Sequence, residues 1–570
     1  MNYQPCVEDS HFIAFDVLQA DRLIAALPAF AEVDRDLMVQ VLDEAGKFVA
    51  QVVAPLQAVG DQVGCRFEQG RVTTPPGFRD AYQAFWQAGW PALSSAPEDG
   101  GQGLPALLEA VLYEMLSAAN HGWTMAPGLL HGAYECIKHH ASDELKTRYL
   151  HKVATGEWLA TMCLTEPHAG SDLGLARTRA VPQADGTYRL SGTKIFISGG
   201  EHDLSDNIVH LVLARLPDAP PGPKGLSLFL VPKFMPDGTR SAVHCDRIEE
   251  KMGLHGSPTC VMRFDEATCW IVGQPGRGLA AMFVMMNAAR LHVALQGIGL
   301  LEAAWQKAHG YSLERRQMRA PGRGKSAAEA DLIADHPAMR RILDTQRAWV
   351  DGGRVLAYRT ALELDIAKHQ AETDAEAAAR AQRWCSLVTP VLKSAWTEQA
   401  FMGGSACLQV LGGHGYVSEW GIEQIVRDSR VAMIYEGTNE IQAIDLLVRK
   451  VLADGGQGLA ALLGDLAAQL PAGHAGHGRI RRLDAVTATL AQAASGDATL
   501  PYEVADDYLR AVALVLLDWA WARIAATPGA QVARWQAPCQ AITRHVLPEF
   551  DMRMQIIETR CAQSHERAVT

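Results

Sequence analysis

The hydrophobic positions in the first part of the chain follow the spacing of amphipathic α-helices. Apolar residues recur every three or four positions at 36–53, 107–118 and 143–155. Clustered glycine and proline at 96–103 interrupt the pattern, which indicates a loop. The sequence therefore predicts an N-terminal helical domain over residues 1–157.

The pattern changes at Trp158 to short runs of β-branched and other apolar residues. Glycine, aspartate and proline turn signals separate strands that we predict at 188–191, 193–197, 208–214 and 226–231. These strands predict a middle β domain over residues 158–277.

Helical spacing returns after Gly278 in longer segments. We predict helices at 279–317, 337–371, 374–403 and 441–452, which as long amphipathic segments favour a bundle over residues 278–453. A stretch rich in glycine, alanine and histidine at 473–478 breaks the pattern, and further helices follow. The predicted fold class is α+β multidomain: a helical domain, a β domain, a helical bundle and an appended helical domain over 454–570.

Composition excludes several functional classes. Hydrophobic residues make up 48% of the 570 and charged residues 20%, which is typical of globular domains rather than disordered chains. The net charge of −12 and the absence of a dense basic run argue against a nucleic-acid partner.

Cysteines and targeting signals add to these exclusions. The eleven cysteines form no C-x-x-C pair, so we expect neither a metal site nor a disulfide framework. The first residues have no apolar run typical of a signal peptide, and the most apolar C-terminal stretch, 511–522, is too short to span a bilayer. These features predict a soluble, cytoplasmic protein without a transmembrane segment.

Two phosphate-binding signatures are incomplete. The segment Gly322-Arg323-Gly324-Lys325-Ser326 ends like a P-loop, but Arg319 stands where the first glycine is needed. No G-x-G-x-x-G follows a strand and opens a helix, so a Rossmann nucleotide site has no support.

One segment carries candidate chemistry. Apolar residues from Ile441 onward define a helix face, so a helix begins near Thr438, a plausible N-cap, with Glu440 in its first turn. Glu436 lies just before that helix, beside Gly437, which permits close approach by a ligand. A carboxylate in such a setting suits proton abstraction if water is excluded, because desolvation raises its pKa. Alternatively, Glu436 merely complements the helix dipole.

The segment containing Glu436 resembles the active-site signature of acyl-CoA dehydrogenases, whose catalytic base is the glutamate of Tyr-Glu-Gly-Thr. Three further segments resemble that family in the same order along the chain. CLTEPHAGSD at 163–172 is similar to its flavin-contact loop, and TKIFISGG at 193–200 to its flavin-shielding strand. QVLGGHGY at 409–416, followed by Arg427-Asp428, is similar to its glycine-rich FAD segment.

The resemblance implies a set of FAD-contacting residues. They are Met162, Thr165, Gly170, Ser171, Phe196, Ser198, Arg315, Gln409, Gly412, Gly413, Thr438 and Glu440. Phe196 stands where most relatives have tryptophan, and Gln317 departs from the family's Arg-x-Thr pattern. Without the resemblance, Met162 and Phe196 would be interpreted as β-domain core, Ser171 and the glycine pair as turns, and Arg315 as a solvated charge.

The resemblance also implies contacts to the substrate. Asn287 and Arg290 match an Asp-x-x-Arg contact to CoA, with the carboxylate replaced by an amide. Ser171 and Gly437 would approach the substrate as well.

The implied activity is FAD-dependent α,β-dehydrogenation of an acyl-CoA to the trans-2-enoyl-CoA, as in β-oxidation. Electrons would pass to an electron-transfer flavoprotein, and the enzyme would form a homodimer or homotetramer. An acyl-CoA oxidase and a non-catalytic CoA-binding homologue are the alternatives. The length and final helices resemble a longer branch that includes enzymes similar to 3-(methylthio)propanoyl-CoA dehydrogenase, which does not determine the acyl group.

Overall fold

The computed structural model describes residues 2–322 and 329–569, with side chains described as far as residue 564. Most of the incomplete P-loop sequence, residues 323–328, lies outside the described residues. The predicted fold class is confirmed: a helical part, a β part and two further helical parts follow one another along the chain.

The N-terminal part consists of helices with one small hairpin, β1 (Arg66–Glu68) and β2 (Arg71–Thr73), which the hydrophobic pattern did not predict. Helix α6 lies at its centre, and nearly all of its residues are buried. The helices are α1 Val7–His11, α2 Ala20–Ala25, α3 Arg35–Phe48, α4 Gln57–Val63, α5 Phe78–Gln87, α6 Ala106–Thr124, α7 Leu130–His140, α8 Asp143–Leu145 and α9 His151–Ala154.

The middle part is a single seven-stranded sheet. Its strands are β3 Leu159–Cys163, β4 Arg179–Pro182, β5 Tyr188–Ser198, β6 Ile208–Arg215, β7 Leu226–Pro232, β8 Val243–Ile248 and β9 Thr259–Val272. The two segments predicted at 188–191 and 193–197 form one strand, because Gly192 is a bulge inside β5 and does not end it. Strands β4, β8 and β9 carry too many polar residues for the hydrophobic pattern to predict them.

The sheet closes on itself. Strand β6 pairs with β3 and β4 in parallel and with β7 antiparallel, and β7, β9, β5 and β4 then lead back to β6. Closure pairs the edges of a sheet, so the strand that carries the flavin-shielding motif is held on both sides.

The bundle consists of α10 Gly278–Ser312, α11 Pro337–His369, α12 Ala375–Val410, α13 Ile422–Arg430 and α14 Asn439–Ile444. Helix α10 was predicted to continue to Gln317 but ends at Ser312, so Arg315 follows the helix. Its Gly297 and Gly299 permit close packing, since a Cβ there would lie 2.7 Å from the Trp396 carbonyl oxygen and 2.4 Å from that of Glu114.

The remaining helices are α15 Gln457–Gln469, α16 Gly476–Ala494, α17 Leu500–Glu503, α18 Ala505–Ala526, α19 Ala533–Ala541 and α20 Pro548–Val569. They pack directly on the bundle. A Cβ at Gly352 of α11 would lie 2.2 Å from Leu517 of α18, and the Trp521 indole donates to the Ala348 carbonyl at 2.9 Å.

A network of buried charges lies at the centre of the bundle. Arg354 pairs with Glu114 at 2.7 Å and with Glu302 at 3.1 Å. Arg347 pairs with Glu302 at 2.6 Å and with Asp351 at 2.8 Å. Each of these five side chains is at most 3% exposed, so each charge depends on the others for its solvation.

The network continues to both ends of the described chain. Arg534, just after the start of α19, pairs with Asp351 at 2.7 Å and with Asp9 of α1 at 2.8 Å, and Asp9 also pairs with Arg347. This buried charge network therefore joins the first helix, the bundle and the appended helices.

Helix α10 is long and apolar enough to cross a membrane by length and composition alone. Of its most apolar window, 56% is buried inside the protein, where α10 is the central helix of the bundle.

Candidate active site

Glu436 lies in a short loop between the 3-10 turn Val431–Met433 and α14. Its φ is +55°, a left-handed conformation that costs a residue with a side chain about 1–3 kcal/mol, and Gly437 follows with a φ of +82°. The Gln442 side-chain amide donates to the carbonyl oxygens of Glu436 at 3.0 Å and Gly437 at 3.2 Å. A Cβ at Gly437 would lie 2.7 Å from that amide nitrogen, so glycine is required there.

Lys393 of α12 supports the same loop from another helix. Its ammonium donates to the Gly437 carbonyl oxygen at 2.8 Å and to Asn439 Oδ1 at 3.0 Å, and the side chain is buried. The Asn439 amide in turn donates to the Ser394 carbonyl oxygen at 3.1 Å. The loop is thus joined to the centre of the bundle.

Burial raises the pKa of Glu436 to about 7, although Lys393 and Arg290 act to lower it. Burial also lowers the pKa of Lys393 to about 7, against the opposing effect of Glu436. No described residue donates a hydrogen bond to the Glu436 carboxylate. A carboxyl group in this state exchanges its proton near neutral pH, as a general base must.

The backbone N–H of Glu436 is also available. It donates to no acceptor in the part of the chain that the structure describes, whereas the carbonyl oxygens of the loop are bonded. A free N–H beside a base can stabilise the oxygen of a carbonyl substrate as negative charge develops there.

A cluster of polar side chains borders the loop around Tyr435. The Tyr435 hydroxyl donates to Gln296 Oε1 at 2.5 Å and lies 3.4 Å from His121 Nε2 and 3.6 Å from the Met125 sulfur. Burial lowers the pKa of His121 to about 3, so the imidazole is neutral. The surroundings of Glu436 on this side are therefore polar but uncharged.

The first flavin-like segment is anchored by an ion pair. Lys194 Nζ lies 2.8 Å from Glu166 Oε1, and both side chains are almost fully buried. The Ile195 N–H donates to the Thr165 carbonyl oxygen at 2.9 Å, which fixes the loop after β3 against β5. Gly170 and Ser171 lie in the exposed part of this loop.

Phe196 is 60% exposed and has a φ of +59°, at a register shift between β5 and β9. The interpretation of Phe196 as β-domain core is therefore wrong, because the bulge turns its ring outward. Met162 of β3 is buried within the main core, and Ser198 at the end of β5 is partly exposed.

The flavin-like strand and the Glu436 loop approach each other through residues 125 and 126. The Cβ position of Gly199, at the end of β5, lies 3.5 Å from the Ala126 Cβ, and Met125 contacts the Tyr435 hydroxyl. The structure therefore brings segments separated by more than 200 residues into one region.

The glycine-rich segment at the end of α12 is open. Gly412 and Gly413 are exposed, Gly412 has a φ of +58°, and a Cβ at either would meet nothing within 4 Å. The Tyr311 hydroxyl and His414 Nδ1 lie 3.0 Å apart, which brings the end of α10 to this segment. Two exposed predicted contacts flank it, Gln409 on α12 and Arg315 after α10.

Arg290 is 7% exposed and pairs with Asp445 at 3.3 Å, whereas Asn287 is exposed. The buried Nε of Arg290 has no hydrogen-bond partner among the described residues. The guanidinium lies close enough to act on the pKa of Glu436, and it presents little surface to a ligand.

Thr438 is the N-cap of α14, accepting from the Ile441 N–H at 3.4 Å as predicted, with the exposed Glu440 in its first turn.

These features fit FAD. An outward aromatic ring at Phe196 can stack on a flat ring system, and exposed glycines at 412 and 413 allow a pyrophosphate to approach backbone N–H groups.

The sequence analysis did not identify four residues that contact the Glu436 loop: Lys393, Gln442, Gln296 and His121. The signal available in the sequence was Lys393, a charged residue within the apolar run of α12.

Comparisons with known proteins agree with this geometry. Family models match at residues 38–157, 161–267 and 276–451; they describe the N-terminal, middle and C-terminal domains of acyl-CoA dehydrogenases.

Two relatives match over most of their length. The chain is 46% identical over 462 residues to 3-methylmercaptopropionyl-CoA dehydrogenase of Ruegeria pomeroyi, covering 80% of this chain and 78% of that protein. It is 35% identical to a broad-specificity linear acyl-CoA dehydrogenase of Mycobacterium tuberculosis, covering 84% of this chain and 80% of that protein.

Solved structures show the same fold. Caenorhabditis elegans ACDH-11 in complex with C11-CoA matches with a TM-score of 0.73 and 20% identity over 96% of this chain and 93% of that one. A chain from a structure titled electron transferring flavoprotein of Acidaminococcus fermentans matches with a TM-score of 0.58 and 25% identity, covering 73% of this chain and 97% of that one.

Proposed function

The chain belongs to the acyl-CoA dehydrogenase family of FAD-dependent oxidoreductases, and on that premise we propose that Glu436 removes the α proton of an acyl-CoA thioester. The product is the trans-2-enoyl-CoA. The observations that carry this proposal are a carboxylate to which no described residue donates a hydrogen bond and, beside it, a backbone N–H that donates to no described acceptor; burial raises the pKa of that carboxyl group to about 7.

The chemistry follows from the loop. The Glu436 carboxylate accepts the α proton, and its backbone N–H stabilises the thioester oxygen, a contribution of about 3 kcal/mol for one donor. When bound, FAD supplies the acceptor for the hydride that leaves the β carbon. Half-burial of the carboxyl keeps it a stronger base than a solvated glutamate.

Several residues are proposed as FAD contacts because they are exposed or border the same region. They are Met162, Thr165, Gly170, Ser171, Phe196, Ser198, Arg315, Gln409, Gly412, Gly413, Thr438 and Glu440. For the CoA thioester we propose Ser171, Asn287 and Gly437. Arg290 is proposed to act from beneath the site, through its charge.

The electron acceptor we propose is an electron-transfer flavoprotein, supported by the likeness to the Acidaminococcus fermentans chain. A homo-oligomer is supported by exposed apolar side chains at the end of the glycine-rich segment and just after it: Tyr416, Val417 and Trp420. Such a patch is typical of a surface that another chain covers. The cytoplasm is the location we propose, since the unpaired cysteines suit a reducing compartment.

For the acyl group we propose a short chain. The relative with 46% identity is named for a methylmercaptopropionyl substrate, which is a short acyl group.

Anaerobic titration with acyl-CoAs tests the reaction and the substrate together. We expect short acyl-CoAs, including 3-(methylthio)propanoyl-CoA, to bleach the flavin absorbance near 450 nm. The Glu436→Gln variant should bind FAD and acyl-CoA yet bleach negligibly. Bleaching of that variant at the parent rate would exclude Glu436 as the base. In a separate assay in air, peroxide release without a dye acceptor would favour an oxidase.

A further inference from the structure

We propose that Lys393 is a positioning residue for the catalytic base: it holds the Glu436–Gly437 peptide in its left-handed conformation and, while protonated, places a positive charge near the carboxylate. This assignment rests on the proposed function of Glu436.

The contacts of Lys393 are directed at the loop. Its ammonium donates to the Gly437 carbonyl oxygen at 2.8 Å and to Asn439 Oδ1 at 3.0 Å. Asn439 is itself fixed, because its Oδ1 accepts from the Thr397 hydroxyl at 3.2 Å and its amide donates to Ser394. Lys393 therefore extends from α12, is held by the fixed Asn439 side chain, and contacts Gly437, the residue next to Glu436.

The loop needs such support because its backbone is strained. A left-handed glutamate persists only where its surroundings determine it. Gln442 supplies two of the restraining hydrogen bonds, but it belongs to α14, the helix that directly continues the loop. Lys393 comes from α12 and so fixes the loop relative to the bundle.

The charge of Lys393 has a second effect. The charged groups that act on Glu436 are Lys393 from α12 and Arg290 from α10. Those that act on Lys393 are Glu436, Arg290 and, more weakly, Glu440. Below its pKa of about 7 Lys393 is protonated, and its charge then favours the ionised base, so its removal makes Glu436 harder to deprotonate.

Two substitutions separate these roles. Lys393→Gln keeps an N–H donor for the Gly437 oxygen but removes the charge, whereas Lys393→Met removes both. The measurement is the limiting rate of flavin bleaching by acyl-CoA under anaerobic conditions, from pH 5.5 to 9, normalised to bound FAD.

A base acts when deprotonated, so the rate rises with pH through its pKa. Both variants should shift that rise to higher pH by about one unit, because the cation is absent. At the high-pH plateau Lys393→Gln should keep most of the parent rate, whereas Lys393→Met should lose about 10- to 100-fold through misplacement of the base.

The control is Lys138→Met. Lys138 of α7 is also a partly buried lysine, paired with Asp99 at 2.7 Å, and it is not among the charged groups that act on Glu436, so we expect no shift of the pH profile. Unshifted profiles in both Lys393 variants, or rate losses that only follow their thermal stability, would overturn the assignment. A parent enzyme that no acyl-CoA bleaches would instead overturn the proposed function.

Discussion

Two groups of buried charges lie in one helical bundle, and they differ in how completely they are paired. In the buried charge network, Glu114, Glu302 and Asp351 each lie within about 3 Å of an arginine. At the active-site loop, no described donor reaches the Glu436 carboxylate.

The pKa values of the carboxyl groups reflect this difference. Burial alone would raise the pKa of Asp351, but the nearby Arg347 and Arg534 outweigh it and lower the value to about 2. Burial prevails at Glu436 and raises its pKa to about 7. Missing partners, rather than burial, therefore distinguish the reactive carboxyl group from the structural ones.

The largest expected effect comes from Glu436→Gln. We expect the rate of flavin bleaching to fall about 10²–10⁴-fold, since the base is lost. The free energy of unfolding should not fall, because no described hydrogen bond to the carboxylate is lost. Stopped-flow absorbance and urea unfolding measure the two quantities, and a large loss of stability would contradict the comparison.

The Arg354→Met substitution tests the fully paired charges of the buried charge network. We expect a loss of about 3–5 kcal/mol in the free energy of unfolding, because the substitution leaves Glu114 without its charged partner. The bleaching rate of folded, FAD-loaded protein should remain near that of the parent. The control is Arg380→Met on α12, where an exposed pair with Glu376 should cost less than about 1 kcal/mol.

The pH dependence of stability sharpens the comparison further. The folded pKa of Glu436 is about 7, raised from 4.5, so the folded protein binds an extra proton between these values and loses stability as pH rises. The Glu436→Gln variant lacks this loss, so its advantage should grow to about 3 kcal/mol by pH 7–8.

The Asp351 contribution behaves in the opposite way. Its pKa is depressed, so its stabilising effect is present above pH 4 and is lost as pH falls toward 2. Across pH 5–8 it should be constant. Urea unfolding at each pH checks both expectations, and a pH-independent difference between parent and Glu436→Gln would contradict the raised pKa.

The smallest effect is expected at the rim of the network. Arg534→Gln removes pairs with Asp351 and Asp9, but Arg347 still contacts both, so the cost should be about 1–2 kcal/mol. Thermal unfolding measures it. A cost as large as that of Arg354→Met would mean that the stability of the network depends as much on Arg534 as on Arg354.

Much of this organisation is predictable from local sequence. The helix start at Thr438, the carboxylate before it and the order of the domains depend on residues close in the chain. The left-handed conformation of Glu436 was not predictable, because it is imposed by Gln442 and by Lys393, 43 positions earlier in the chain.

Contacts between distant residues account for the rest. The side chains of Gln296 and His121 reach Tyr435 from α10 and α6, and nothing in their neighbourhoods distinguishes them from other polar positions. The charge network was equally hidden, since Glu114 and Arg354 lie 240 residues apart and each looks locally like a solvated helix residue. Strand β9 was missed because the adjacent exposed residues Asp265 and Glu266 interrupt its hydrophobic pattern.

The contact between Asp9 and Arg534 has a consequence for biosynthesis. These residues are separated by 525 positions, so at about 5–20 residues per second the first helix leaves the ribosome roughly half a minute to two minutes before its partner. Until then Asp351 lacks one of its cations, and the bundle interior stays incomplete. Translation of the appended helices thus ends the assembly of the catalytic part, and a nascent chain stopped before α19 would expose this unfinished interior to chaperones and proteases.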